Sequence, residues 1–313
     1  MERQLPGKGT MPATAFDRLL IAVKPITVPI ADRGIDLQVK VTAPADGDDL
    51  PVIVFSHGNA WSMDGYEPLV DRWAAAGFVV IQPTHLDSRR NHIDFDDPRF
   101  ATIWRLRIAD LHGVLDGLGD ILDRVGGLPS RVDRDRVAVV GHSWGAQTAG
   151  ALLGARVLDT VGNPGEDFSH PAVKAGALIA ATGTGEALTP FALKYLPFAR
   201  PDFSTMATPA LVIAGGKDQS AASTRGPEWF TDAYHCSPAP KRLLTVAEAE
   251  HLFGGISGEY VKDTTDEDPA RVVLVADAVS AFLRDVLDVD ATGWRGLQDR
   301  VADSSGAFSI ESK

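Results

Sequence analysis

The chain has 313 residues, 44% of them hydrophobic and 23% charged, and its 42 acidic against 30 basic side chains give a net charge of −12. That length suits one large α/β domain and that apolar fraction supports a sizeable core, so wholesale disorder is excluded. The acidic balance, with Arg89-Arg90 as the strongest basic pair, argues against nucleic acid or an anionic membrane as partner. A lone cysteine, Cys236, excludes an intrachain disulfide and a cysteine-based zinc site, and it reads as a small buried residue. Charges at Glu2, Arg3, Lys8, Asp17, Arg18 and Lys24 interrupt positions 1–25, so no secretory leader is expected there. No apolar run approaches the ~20 residues that span a bilayer, and a cytoplasmic, non-membrane protein is the expectation.

Positions 1–25 read as an N-terminal extension, followed by strands at 26–30 and 35–42 that the turn Asp32-Arg33-Gly34 joins as an antiparallel hairpin. Further strands are expected at 51–56, 78–82, 136–140, 175–181, 210–214 and 242–246. Runs such as Val52-Ile53-Val54-Phe55 and Val137-Ala138-Val139-Val140 suit strands buried on both faces. Helical patterns alternate with them at 66–76, 100–125, 146–158, 227–235 and 268–287. In the last, Val272, Val275, Ala276, Val279 and Phe282 recur at three- and four-residue steps, and Asp268-Pro269 provides a cap and a first-turn proline.

The alternation predicts a doubly wound, mostly parallel sheet with helices on both faces over residues 26–288. Residues 182–205 carry Pro190, Pro197 and Pro201 among Phe191, Leu193, Tyr195, Leu196 and Phe198, too apolar for a solvated loop and too broken for a long helix. A small lid-like insertion is expected there. From 289 to 313 the hydrophobic period fades, and this tail is expected to be ordered at Trp294 and Leu297 and frayed beyond.

Gly141-His142-Ser143-Trp144-Gly145 has the G-x-S-x-G pattern directly after an apolar strand and before a helical stretch. That strand–turn–helix context marks Ser143 as a nucleophile on a tight elbow. A serine hydroxyl needs a base to take its proton and a carboxylate to hold that base, and in this arrangement both follow the serine. Of the 8 histidines, His170, His235 and His251 follow Ser143. His251 ends the segment after the 242–246 strand and is the chosen base; His235 falls in a helix and His170 in a loop. Asp218 ends Gly215-Gly216-Lys217-Asp218 at the carboxyl edge of the 210–214 strand and is the chosen acid, with Glu166 and Asp167 as rivals.

Negative charge developing on the substrate oxygen calls for two prearranged N–H donors. Trp144, next after the nucleophile, supplies one, and the Ser56-His57-Gly58-Asn59-Ala60-Trp61 loop supplies the other through Asn59, with Ala60 as second choice. His57 reads as a brace for that loop. Trp61, Phe191, Phe198 and Phe253 lie near these loops and are expected to line an apolar substrate pocket. The acids Asp94, Asp96 and Asp97 fit no metal-binding spacing and read as a solvated loop. No G-x-G-x-x-G or phosphate loop follows a strand, so no cofactor and no metal are expected.

Together, Ser56-His57-Gly58, Gly141-His142-Ser143-Trp144-Gly145, Gly215-Gly216-Lys217-Asp218 and Glu250-His251 resemble the α/β-hydrolase superfamily over residues 26–287. Residues 51–58 and 77–80 are similar to the branch of chlorophyllases, platelet-activating-factor acetylhydrolases and polyester-hydrolase-like enzymes. The resemblance implies a serine carboxylic-ester hydrolase acting through Ser143, His251 and Asp218 on small to medium apolar or aromatic esters, dialkyl phthalates among them. A thioesterase, amidase or acyltransferase on the same residues is the alternative, and a non-catalytic ligand receptor a third reading.

Overall fold

The computed structural model describes residues 18–31, 33–93, 95–259 and 263–313. Asp32 of the expected turn, Asp94 of the acidic loop and residues 1–17 of the expected extension lie outside them. In chain order the first half contains β1 (Leu20–Val28), β2 (Leu37–Pro44), β3 (Leu50–Ser56), α1 (Glu67–Ala75), β4 (Val79–Thr84), α2 (Ile103–Asp116), α3 (Leu118–Asp123), β5 (Val132–His142) and α4 (Trp144–Leu152). The second half contains β6 (Arg156–Val157), β7 (Val173–Ile179), α5 (Pro190–Tyr195), β8 (Pro201–Asp202), β9 (Ala210–Gly215), α6 (Asp232–His235), β10 (Lys241–Val246), α7 (Pro269–Val286), α8 (Thr292–Asp303) and β11 (Phe308–Ser312).

Among the described residues, nine strands form one sheet in the order β1-β2-β4-β3-β5-β7-β9-β10-β11. The six strands from β4 to β10 along this order run parallel, while β1, β2 and β11 pair antiparallel at the edges. This is the expected doubly wound, mostly parallel sheet. The helices α1 and α7 pack against each other over one face, and α2 and α4 cover the other. Burial on both faces explains the unbroken apolar runs: Val52, Ile53, Val54, Phe55 and Val137 through Val140 have no solvent exposure. Along α7, Val275, Val279 and Leu283 are fully buried on one stripe, each contributing about 1.5–3 kcal/mol of transfer free energy. Asp268 caps that helix by accepting from the Ala270 N–H at 2.9 Å, with Pro269 in the first turn.

The structure departs from the sequence expectations at four points. The first strand begins at Leu20, inside the expected extension, because Leu20 through Val23 pair with β2. The expected 100–125 helix divides at Gly117 into α2 and α3. The C-terminal tail does not fray: α8 packs on α7, and β11 adds to the sheet edge antiparallel to β10. Cys236 is exposed, not buried.

Residues 182–205 form a short turn and α5, and their far end, β8, pairs with β6. The segment is tied down at both ends. Gln147 donates to Phe198 O at 2.9 Å, and Asp232 accepts from the Thr184 N–H and hydroxyl at 2.9 Å. No helix among the described residues is long and apolar enough to cross a membrane.

Candidate active site

Ser143 lies between β5 and α4 with φ 57° and ψ −121°, a conformation that side-chain-bearing residues rarely adopt. Its N–H bonds Ile179 O at 2.9 Å, holding the elbow against β7. The flanking glycines are required by contact. A Cβ on Gly145 would lie 1.9 Å from Ser56 O, and one on Gly141 2.0 Å from Gly145 O. The helix is therefore pressed onto β3 and the turn, which lifts the serine hydroxyl to the carboxyl edge of the sheet.

At that edge His251 Nε2 is 3.0 Å from Ser143 Oγ, and His251 Nδ1 is 2.9 and 3.0 Å from the two Asp218 carboxylate oxygens. A carboxylate only accepts, so Nδ1 carries the proton and Nε2 is left to accept from the serine. Asp218 is fully buried, and burial pushes its carboxyl above the ordinary range against the stabilising bonds from His251. The rivals are elsewhere. Asp167 and Glu166 are exposed and pair with Arg156 and Arg105 at 3.6 and 3.3 Å. His170 faces Asp116 at 3.2 Å, and His235 is exposed on α6.

Beyond β3, the loop that approaches Ser143 is shaped from behind by a buried arginine. Arg107 of α2, 1% exposed, donates to His57 O at 2.8 Å and Gly58 O at 3.1 Å, and it clasps Asp87 at 2.9 and 2.7 Å. Arg107 outweighs burial at Asp87 and holds that carboxyl down at about 2. The Gly58 N–H is taken by Tyr66 Oη at 3.1 Å and the Ala60 N–H reaches Asp87 at 3.5 Å. Asn59, exposed and at the cavity beside Ser143, has an N–H without a partner among the described residues. Trp144 opens α4, whose first N–H groups have no acceptor within the helix. Asn59 and Trp144 thus bring two uncommitted donors to the cavity, whereas Ala60 does not.

His57 braces this loop, as its sequence position implies. Its Nε2 accepts from the His85 N–H at 3.0 Å, so its Nδ1–H donates to Gly58 O at 2.7 Å. Behind it, Ser56 Oγ is 2.9 Å from His85 Nε2 and His85 Nδ1 is 2.9 Å from Asp110 Oδ2. This repeats the serine–histidine–carboxylate order seen at Ser143, but all three side chains are fully buried and no substrate can reach them. Arg33 binds the same carboxylate at 2.6 and 3.3 Å.

Burial lowers His57 and His85 well below their ordinary value of 6.5 and brings His142 to about 3. The folded chain keeps these rings neutral where the unfolded chain takes up protons, so stability falls as pH drops through 6.5. Each ring costs about 1.4 kcal/mol one unit below that value. Asp110, raised to about 6 by burial, acts in the opposite sense and offsets part of the loss. Urea unfolding is expected to show a stability about 3 kcal/mol lower at pH 5.5 than at pH 7.5. Equal stabilities would contradict buried, neutral histidines.

A cavity of about 250 Å³ opens in front of Ser143, with Asn59, Trp144 and His251 on its wall. Of the aromatics expected there, Phe191 of α5 lines it, and the chain just after α5 brings Leu196 and Ala199 to the same wall from the inserted segment. Three expectations are corrected. Trp61 packs edge-on against Tyr66 at 5.5 Å and is 8% exposed; Phe253 is wholly buried in the core. Phe198 packs behind Trp144 at 5.6 Å and lines a separate void of about 10 Å³, room for about one water.

The groups that take their place are Phe95, Trp229 and Phe230, the last 5.7 Å from the His251 ring. Trp229 and Phe230 lie in the expected 227–235 helix, and no periodicity distinguishes a helix turn facing a cavity from one facing core. Among the described residues no cluster of three or more His, Cys, Asp or Glu could hold a metal ion.

A sequence model described as the alpha/beta hydrolase family matches residues 53–304, which include Ser143, Asp218 and His251. A search of curated proteins returned no match.

Proposed function

The chain belongs to the alpha/beta hydrolase family, and from that premise we propose that it is a serine hydrolase of carboxylic esters with neutral, apolar or aromatic acyl groups. One observation carries the reading: the serine–histidine–aspartate contacts of 3.0 and 2.9 Å are made beside a cavity that also receives Asn59 and Trp144. Ser143 Oγ attacks the ester carbonyl while His251 Nε2 takes its proton, and Asp218 stabilises the resulting imidazolium. The Asn59 and Trp144 N–H groups bind the oxyanion. Collapse expels the alcohol, which takes the proton from His251, and water activated by the same nitrogen releases the acid.

The acyl preference follows from the lining. Phe95, Phe191, Leu196, Trp229 and Phe230 supply apolar wall, and the described lining has no carboxylate, lysine or arginine. A charged acyl group would be desolvated there without a partner. The finer likeness to chlorophyllases, platelet-activating-factor acetylhydrolases and polyester-hydrolase-like enzymes rests on residues 51–58 and 77–80 and is part of this proposal, as are dialkyl phthalates as substrates.

The test is a panel of p-nitrophenyl acetate, butyrate, octanoate and hemisuccinate, with a butyryl thioester and a butyryl p-nitroanilide beside them. The butyrate ester is expected to exceed the hemisuccinate in kcat/KM by about 100-fold or more, given the cost of leaving a carboxylate unpaired. Faster turnover of the thioester or anilide would move the chain to a thioesterase or amidase. No turnover of any member would sink the hydrolase reading.

A further inference from the structure

Behind the proposed reacting atoms runs a buried chain of hydrogen bonds that the acyl chemistry does not consume. Gly58 N is 3.1 Å from Tyr66 Oη, Tyr66 Oη is 2.9 Å from His142 Nδ1, and His142 Nε2 is 2.9 Å from His251 O. Tyr66 has no solvent exposure and His142 has 2%. The two ends dictate every direction between them. The His251 carbonyl only accepts, so His142 Nε2 carries the proton; Nδ1 then accepts from the Tyr66 hydroxyl, whose oxygen accepts from the Gly58 N–H. Three loops that reach the cavity, after β3, at the β5–α4 elbow and after β10, are joined in one polarised line.

Two further observations show that the line is built into the backbone. Tyr66 has φ 67°, uncommon for a bulky residue, and its N–H bonds Ser257 O at 3.0 Å, tying it also to the chain just beyond His251. Gly58 carries no side chain where a Cβ would lie 2.9 Å from Tyr66 Oη and 3.2 Å from His142 Nδ1. With Arg107 and His57 gripping its carbonyl and Tyr66 its N–H, the Gly58 unit is held from both sides, which aims the next N–H, that of Asn59.

Building on the esterase reading, we propose that Tyr66 and His142 are positioning residues that set the register of the oxyanion loop, the nucleophile elbow and the His251 segment. Neither touches substrate. Their effect is on geometry, where a displacement of about 1 Å costs about 100-fold in rate. The neutral form is the one that works: the His142 ring centroid is 4.9 Å from that of His251, and a charge there would oppose the imidazolium that forms in the reaction.

The test uses Tyr66→Phe, His142→Asn and the double variant on p-nitrophenyl butyrate, with active sites counted by fluorophosphonate titration so that only folded, competent molecules enter kcat. Each single change is expected to lower kcat about 10- to 100-fold with KM within about threefold, consistent with lost alignment. The double variant is expected to fall no more than about threefold below the worse single, since both break one chain. His142→Gln, which keeps a donor at the Nε2 position, is expected to recover part of the loss.

Losses that multiply, or that appear in KM with kcat unchanged, would overturn the proposal, as would a Tyr66→Phe kcat equal to wild type. A second readout needs no turnover. The ¹⁵N imidazole spectrum of the wild-type chain at pH 7 is expected to show His142 as the Nε2–H tautomer, and an Nδ1–H tautomer would overturn the chain of bonds even if the esterase reading stood. Absence of turnover in wild type with the Nε2–H tautomer present would overturn the assignment as positioning residues along with the hydrolase reading, while leaving the bonding described above intact.

Discussion

Ser143→Ala is expected to lower kcat/KM for p-nitrophenyl butyrate by about 10⁶-fold, the scale seen when the nucleophile of a serine hydrolase is removed. In the proposed mechanism the change deletes the one atom that forms the acyl bond and leaves its surroundings in place. Alanine meets the same backbone demand at φ 57° as serine, and the Ser143 N–H to Ile179 O bond does not involve the side chain. Because the hydroxyl is half-buried beside a cavity, its loss strands no deeply buried donor, and the thermal midpoint is expected to move by only a few degrees. A small residual rate should persist, since Asn59 and Trp144 still present N–H groups to a water-attacked carbonyl. Retention of more than a tenth of the wild-type rate would remove Ser143 from the mechanism.

Asp218→Asn carries the second largest expected loss, about 10⁴-fold in kcat. The argument is one of tautomers rather than charge alone. Asp218 accepts from His251 Nδ1–H through both oxygens, which leaves Nε2 free to take the Ser143 proton. An asparagine can offer its amide N–H to Nδ1, which moves the ring proton to Nε2 and turns the intended base into a donor toward Ser143. KM for the butyrate ester is expected to stay within a few-fold, because Asp218 is fully buried and does not line the cavity in front of Ser143. A loss of less than tenfold would shift the role of the acid to another carboxylate, although Asp167 and Glu166 already pair with Arg156 and Arg105 on the surface.

Much of this arrangement was legible in the sequence because chain order and strand ends are local signals. The elbow follows a continuous apolar strand, and Gly-rich or acidic turns place Asp218 and His251 just after β9 and β10, the last two parallel strands on that side of the sheet. Doubly wound sheets gather such ends on one side. What remained hidden is non-local. Phe308 and Ile310 show too brief an alternation to announce β11, whose formation depends on the free edge of β10.

Arg107 and Asp110 look like the solvated face of an amphipathic helix, yet they point inward because Asp87, Arg33, His85 and two loop carbonyls satisfy them. Aromatic residues near the site are the weakest of the sequence signals. Trp61, Phe198 and Phe253 have the same composition signal as Phe95, Phe191 and Phe230, and only packing across distant segments decides which three face the cavity. Tyr66 and His142 were unmarked for a related reason: their importance lies in hydrogen-bond directions between loops, which spacing does not encode.

The most direct test of the central claim is to label the wild-type chain with a fluorophosphonate and map the modified peptide by mass spectrometry. The described residues contain two serine–histidine–aspartate arrangements with nearly equal bond lengths, Ser143 beside an open cavity and Ser56 sealed in the core. A single phosphonyl adduct on Ser143, with Ser56 unmodified, is the predicted result. An unlabelled chain, or an adduct on any other serine, would contradict the assignment of Ser143 as the nucleophile.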